Sequence, residues 1–201
     1  DLTFVKTSNF DLLYRIQSNG DGSFRVIGDD QGSSDDETAD VYNVESLNII
    51  AGEGALNFEL GDLADTSLAS SGVIFQGSSD DDFFNASSAG VSVDLRGGDG
   101  NNTLIGGELA DVLQGGSGSN SLQGNGGDDL LLSSSGDDLI DGGTGFDTAS
   151  YVNASSAISL DLNVVGAQDT LGSGMDSLSN VERVEGSAFG DTLIGNGLNN
   201  T

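Results

Sequence analysis

GGDGNNTLI, GGELADVLQ, GGSGSNSLQ, GNGGDDLLL, SSSGDDLID and GGTGFDTAS follow one another without insertion from Gly97 to Ser150. Six nonapeptides in one register decide the fold. Position six reads Asn102, Asp111, Asn120, Asp129, Asp138 and Asp147, a polar, ligand-type column; position eight reads Leu104, Leu113, Leu122, Leu131, Ile140 and Ala149, a core-type column. Glycines permit the positive φ values of a tight turn, and the last three residues of each unit suit a short strand with position eight facing inward. A single unit cannot bury one side chain alone, so successive units must coil and stack into a solenoid.

The run resembles the GGxGxDxUx repeats of the RTX (hemolysin-type calcium-binding) family. The resemblance implies an all-β fold, a right-handed parallel β-roll or β-solenoid in which two nonapeptides make one turn and Ca2+ lies between stacked loops. The ligands it implies are the position-six side chains together with backbone carbonyls of the glycine-rich loops: Gly106, Glu108, Gly124, Gly126, Gly127, Gly142, Thr144 and Gly145. Such an all-oxygen shell suits calcium and fits magnesium poorly. Stacking every second loop separates Asn102, Asn120 and Asp138 from Asp111, Asp129 and Asp147. Three loops per column leave gaps for roughly four ions, and the charge count predicts tighter binding in the all-Asp column.

Some positions depart from the pattern. Leu109 stands where the pattern has Gly, and Asn125, Ser133 and Ser134 replace other glycines, which predicts distorted loops there. Asp128 and Asp137, beside position six, are either extra ligands or solvated charges, the second being the favoured reading, and the Glu108 side chain is read in the same way. Val112, Leu130 and Leu132 fall on the outward face, where stacking makes an apolar patch that is either covered by a neighbouring part of the chain, the favoured reading, or a partner surface.

Working outward, GSSDDDFFN at Gly77 and GSAFGDTLI at Gly186 place Asp82 and Asp191 at position six, with Phe84 and Leu193 at position eight. The final GNGLNNT sets Asn200 at position six. All three are further metal candidates. NASSAGVSVDL from Asn85 recurs as NASSAISLDL from Asn153, and NVESL at Asn43 recurs as NVERV at Asn180. The alternations Val91, Val93, Leu95 and Ile158, Leu160, Leu162 have strand period, so both copies are expected to extend the roll with longer coils. YRIQSNGDGSFRV, from Tyr14, reads as a hairpin around a Gly-Asp-Gly turn. It lacks the glycine and the closing Glu of an EF-hand. The expected organisation is an N-terminal β region with irregular repeats over 1–76 and a roll over 77–201, regular at 97–150 and degenerate at 77–85 and 186–201, within a longer protein.

Composition narrows function. Lys and Arg number 5 against 33 Asp and Glu, a formal charge of -28, so a compact fold needs cations to hold its carboxylates together. The same field argues against nucleic acid, and no run is long enough for membrane insertion. There is no His, Cys or Pro, which removes disulfides, soft-metal sites and Ser-His or Cys-His nucleophile pairs. Recurring glycines without a following helix exclude a dinucleotide loop. An isolated Thr103 and Thr148 make no ice-binding ladder. Acid pairs are inevitable at this composition, yet calcium already explains their loop positions, so no enzyme activity is expected.

These features point to a calcium-folded structural or adhesive module of an exported bacterial protein, in a surface layer, filament or large adhesin. Its partners would be copies of itself or other cell-surface components. The alternative is an accessory secretion and stability module of an exported protease or polysaccharide epimerase. The family resemblance implies type I secretion and an extracellular or cell-surface location.

Overall fold

The computed structural model describes residues 2–5, 13–18, 24–29, 37–41, 47–50, 55–63, 72–198 and 200, with side chains from Leu47 onward. All described elements are strands, and among the described residues no helix is long and apolar enough to cross a membrane. Regular coils alternate between two sheets. One sheet receives β7 (Val73–Gln76), β9 (Val93–Arg96), β11 (Val112–Gln114), β13 (Leu130–Leu132), β15 (Thr148–Ser150) and β19 (Arg183–Glu185) in that order. It begins with β1 (Leu2–Val5) and β5 (Leu47–Ile50), and all its pairings are parallel. The other stacks β6 (Asn57–Leu60), β8 (Phe83–Asn85), β10 (Thr103–Ile105), β12 (Ser121–Gly126), β14 (Leu139–Thr144) and β18 (Met175–Ser179), again in parallel.

The register carries the repeat. Leu104 pairs with Leu122, and Leu113 with Leu131, so two nonapeptides make one turn and position eight stacks on position eight. Leu104, Leu113, Leu131, Ile140 and Ala149 are wholly buried, with Leu122 almost so. Each buried leucine contributes about 1.5–3 kcal/mol. Toward the N-terminal side the aliphatic column gives way to rings: Phe84 stacks on Phe58 with centroids 5.0 Å apart and touches Phe75 at 4.4 Å. Strands on both sides of residue 76 share the same sheets.

The turns show why glycine recurs. Position four takes positive φ at Gly100, Gly118, Gly127, Gly136 and Gly145; position two does so at Gly98, Gly116 and Gly143. Asn125 keeps that geometry at φ 73°, a conformation Asn tolerates better than most residues. Leu109 and Ser134 do not adopt it, so their loops depart from the others as the sequence predicts.

Three flanking features differ from expectation or extend it. The hairpin is present as antiparallel β2 (Leu13–Ser18) and β3 (Phe24–Asp29), with Ser18 opposite Phe24. Its Gly-Asp-Gly turn lies outside the described residues. A third strand, β4 (Glu37–Val41), pairs with β3, and β2 joins β6 in parallel, so the hairpin is part of a meander continuing the sheet. The first NASSA copy leads into β9 as expected, with Val91, Val93 and Leu95 buried. The second does not enter either main sheet: its β16 (Ser159–Asp161) pairs with β20 (Thr192–Ile194) in a separate two-stranded sheet. The next place on β14 is taken instead by β18, which carries β17 (Ala167–Asp169) antiparallel to it across a turn with Leu171 at φ 63° and Gly174 at φ 123°. Of the outward apolar residues, Val112 stacks on Leu130, and both are half-buried together with Leu132.

Candidate metal centre

Position six lies at the start of each strand, where its side chain turns inward beneath the loop and is buried: Asp82, Asn102, Asp111, Asn120, Asp129, Asp138 and Asp147 are each at most 3 % exposed. One oxygen of each has the same task. It accepts the backbone N–H of the residue one coil earlier in its column. Val93 donates to Asp111 Oδ1 (2.8 Å), Asp111 to Asp129 Oδ1 (2.8 Å) and Asp129 to Asp147 Oδ1 (2.9 Å). In the other column Asp82 donates to Asn102 (2.9 Å), Asn102 to Asn120 (3.0 Å), Asn120 to Asp138 (2.8 Å) and Asp138 to Asp176 (2.9 Å). Buried N–H groups must be paired, so these ladders are obligatory parts of the fold.

The second side-chain atom faces the glycine at position one of its own loop. A Cβ on Gly124 would sit 2.2 Å from Asp129 Oδ2 and 2.4 Å from the Gly142 carbonyl oxygen; one on Gly142 would sit 2.7 Å from Asp147 Oδ2 and 2.1 Å from the Asn180 oxygen. Only glycine leaves this space open, and two acceptor oxygens flank it. Asp129 Oδ2 and Asp147 Oδ2 are buried without a hydrogen-bond partner. Such orphaned oxygens are costly unless a cation or proton meets them. Asp111 Oδ2, in the same relation to Gly106 and the Gly124 oxygen, accepts the Gly107 N–H at 2.6 Å. No group of three acidic side chains converges among the described residues, so a shell here needs carbonyl oxygens beside one or two carboxylates. That donor set is hard, oxygen-only and flexible in number, and it fits calcium.

Of the other carbonyl candidates, the Gly106 oxygen accepts the Asn125 amide at 2.8 Å and the Thr144 oxygen accepts the Gly127 N–H at 3.0 Å, each with a lone pair to spare. The Gly127 oxygen lies against Gly145. Glu108, Gly126 and Gly145 line the same all-Asp column, in the loops of Asp111, Asp129 and Asp147 respectively. Asp82 Oδ2 accepts the Ser78 N–H at 2.7 Å. Asp191 accepts from Ser187 Oγ (2.6 Å) and Ile158 N (2.9 Å), in the separate two-stranded region, and these bonds hold its pKa low. Asn200 Nδ2 meets Asn196 Oδ1 at 3.1 Å.

The structure adds members that the sequence reading missed. Asp176 and Glu182 close the two columns: Asp176 accepts from Asp138, and Glu182 accepts the Asp147 N–H at 3.0 Å. The signal for Asp176 is legible in LGSGMDSLS at 171–179, which has Gly174 at position four, Asp176 at six and Leu178 at eight. Position five forms a second, outer ladder. Asp81 accepts the Asn101 N–H (2.6 Å), Asn101 that of Ser119 (2.8 Å), Asp128 that of Phe146 (2.9 Å) and Asp137 that of Met175 (2.9 Å). Asp128 and Asp137 are therefore coil-to-coil acceptors rather than merely solvated charges.

Burial pushes the carboxyls of both columns upward. Asp129 rises to about 7, by burial first and then by the charges of Asp111, Asp147 and Asp128. Asp138 rises to about 6, and Asp82, Asp111, Asp147 and Asp176 move the same way, with burial the leading cause in each. A carboxyl whose folded pKa exceeds its ordinary 3.8 takes up a proton on folding. Its contribution to stability is present at low pH and is lost as pH rises through the folded value. Folded without calcium by an excluded osmolyte such as sucrose, the chelated protein is thus expected to melt at a higher temperature at pH 5 than at pH 8, the difference accruing between about 5 and 7. Melting scans in chelator check this, and a flat or rising profile would contradict the burial of Asp129. Calcium reverses the sign, because protons compete with it for the same oxygens.

A family model for the RTX calcium-binding nonapeptide repeat matches residues 94–121 and 114–149, in four copies. No curated protein matches the chain.

Proposed function

Because residues 94–149 match the model of the RTX calcium-binding nonapeptide repeat, we propose that this chain is a calcium-folded structural or adhesive module of an exported bacterial protein. One observation supports the reading above others: Asp129 Oδ2 and Asp147 Oδ2 are buried opposite carbonyl oxygens with no donor between them. When bound, calcium supplies the positive charge these oxygens lack. The chain does the rest. Position-one glycines hold the space open, position-six carboxylates bridge consecutive coils through Oδ1, and the leucine column sets the coil spacing that brings loop over loop.

In a compartment poor in calcium, the formal charge of -28 and the orphaned carboxylates favour the unfolded chain, which is the form that type I secretion exports. Millimolar calcium outside the cell then drives folding, since binding free energy becomes folding free energy. The acidic residues serve as ligands and backbone acceptors in this scheme, not as an acid-base pair. A surface layer, fibril or large adhesin is the setting that suits a module of this kind.

The test is a far-UV circular dichroism titration of the chelated chain with calcium, with magnesium as control. A cooperative gain of β signal specific to calcium is expected. A chain equally folded in chelator and in calcium would sink the calcium-folded reading, and turnover of a polysaccharide by the folded chain would sink the non-enzymatic one.

A further inference from the structure

The two columns of the roll treat the space beside position-one glycine differently. In the Asp129 loop two acceptor oxygens flank it. In the Asn102 loop the corresponding point, a Cβ on Gly97, lies 2.5 Å from Asn102 Nδ2 and 2.5 Å from the Gly115 oxygen, so a donor now faces the acceptor. That amide reaches four oxygens: Asp99 O (3.1 Å), Gly100 O (3.4 Å), Gly115 O (3.2 Å) and Asn120 Oδ1 (3.2 Å). Asn120 Nδ2 repeats the pattern one coil on, meeting Gly118 O (2.9 Å), Gly116 O (3.4 Å) and Asp138 Oδ1 (3.1 Å). The orientation of both amides is fixed by chemistry. Oδ1 accepts a backbone N–H in each case, and reversing the group would set N–H against N–H and carbonyl against carbonyl.

The same column stays closed beyond the asparagines. At Asp138 the position-one residue is Ser133, buried, whose hydroxyl bonds Asp138 Oδ2 at 2.6 Å and Ser173 Oγ at 2.9 Å; Ser173 in turn donates to the Ser134 oxygen at 2.9 Å. At Asp176 the Thr170 hydroxyl lies between Asp176 Oδ2 (3.1 Å) and the Gly174 oxygen (2.8 Å). Every oxygen-lined space from Asn102 to Asp176 therefore contains a neutral side-chain donor.

We propose that the Asn102–Asn120–Asp138 column is a metal-free seam, in which amide and hydroxyl groups occupy the places that calcium takes beside Asp129 and Asp147, so that calcium addresses one edge of the roll only. The proposal rests on the calcium reading of the opposite edge. Its consequence is a division of labour. The amide edge is complete without ions and holds the coils in register, while the carboxylate edge closes on calcium.

Two single-atom exchanges test it, with calcium stoichiometry by equilibrium dialysis and melting in chelator as readouts, the chelated samples being folded without calcium by an excluded osmolyte such as sucrose. Asn120→Asp turns a donor into an acceptor inside the seam. It is expected to lower the melting point in chelator by several degrees and to add about one bound calcium per chain. Asp129→Asn makes the opposite change at the open edge. It is expected to raise the melting point in chelator and to remove about one ion. Unchanged stoichiometry and unchanged chelator melting in Asn120→Asp would overturn the seam. If the wild-type chain binds no calcium, the functional reading fails on its own account, and the opposite shifts of the two variants in chelator still decide whether the amides close the column.

Discussion

Gly145→Ala is expected to unfold the roll under conditions where the wild-type chain is stable, whereas Gly190→Ala leaves it intact. Gly145 has φ 145°, and a Cβ there would lie 1.8 Å from the Gly127 carbonyl oxygen and 2.7 Å from its carbon. Both contacts are with backbone of the coil beneath, so no rotamer change relieves them. Parting the loops breaks the inter-coil bonds on either side, from Gly127 N to Thr144 O and from Phe146 N to Asp128 Oδ1. The cost exceeds about 4 kcal/mol, a large share of the 5–15 kcal/mol typical of a domain. Gly190 has nothing within 4 Å of its Cβ site and no positive φ, so it controls for the loss of a glycine as such. Denaturant melts in saturating calcium measure both. Matching midpoints for Gly145→Ala and wild type would mean that the loops stack more loosely than the structure has them.

Phe84→Ala carries the second large effect, a loss of about 3–5 kcal/mol. Phe84 is wholly buried, parallel to Phe58 and against Phe75, and such ring pairs add about 0.5–1.5 kcal/mol to simple burial. The three rings come from β6, β7 and β8, so this cluster ties the irregular N-terminal coils to the regular run. Because a solenoid coil contacts mainly its neighbours, the damage should be local. Hydrogen exchange is expected to quicken in β6 and β7 while β12 and β13 keep their protection. A loss under 1 kcal/mol, or uniform loss of protection along the chain, would contradict that account.

The regular run was legible in the sequence because its period is exact. A nine-residue spacing fixes which residue faces inward, and the observed pairing of Leu104 with Leu122 and of Val112 with Leu130 follows from it. Asp82 and Phe84 were placed by the same rule. What escaped the reading is chemistry that spacing does not encode. Asn and Asp share position six and one hydrogen bond, and only coordinates show that their second atoms have opposite polarity toward the same carbonyls. Asp128 and Asp137 look like surface charges until the neighbouring coil brings the Phe146 and Met175 N–H groups to them. The NASSA duplication suggested equal fates for two similar segments, yet β18 takes the next place on β14 and the second copy pairs in its own small sheet. Partners eighteen or thirty-eight residues away are set by the stack as a whole.

The inner ladder has a direction. Every rung runs from the N–H of one coil to the side-chain oxygen of the next coil along the chain, never the reverse. The roll is consequently a vectorial object with two unlike cut surfaces. A cut that removes the earlier coil bares a carboxylate or amide oxygen, which water readily satisfies. One that removes the later coil strips the acceptor from a main-chain donor recessed beneath the turn. The position-seven N–H groups run the other way, each to the position-six carbonyl of the earlier coil, as from Leu130 to Asp111 and from Thr148 to Asp129, so each cut face bares main-chain donors of its own and each needs a cap.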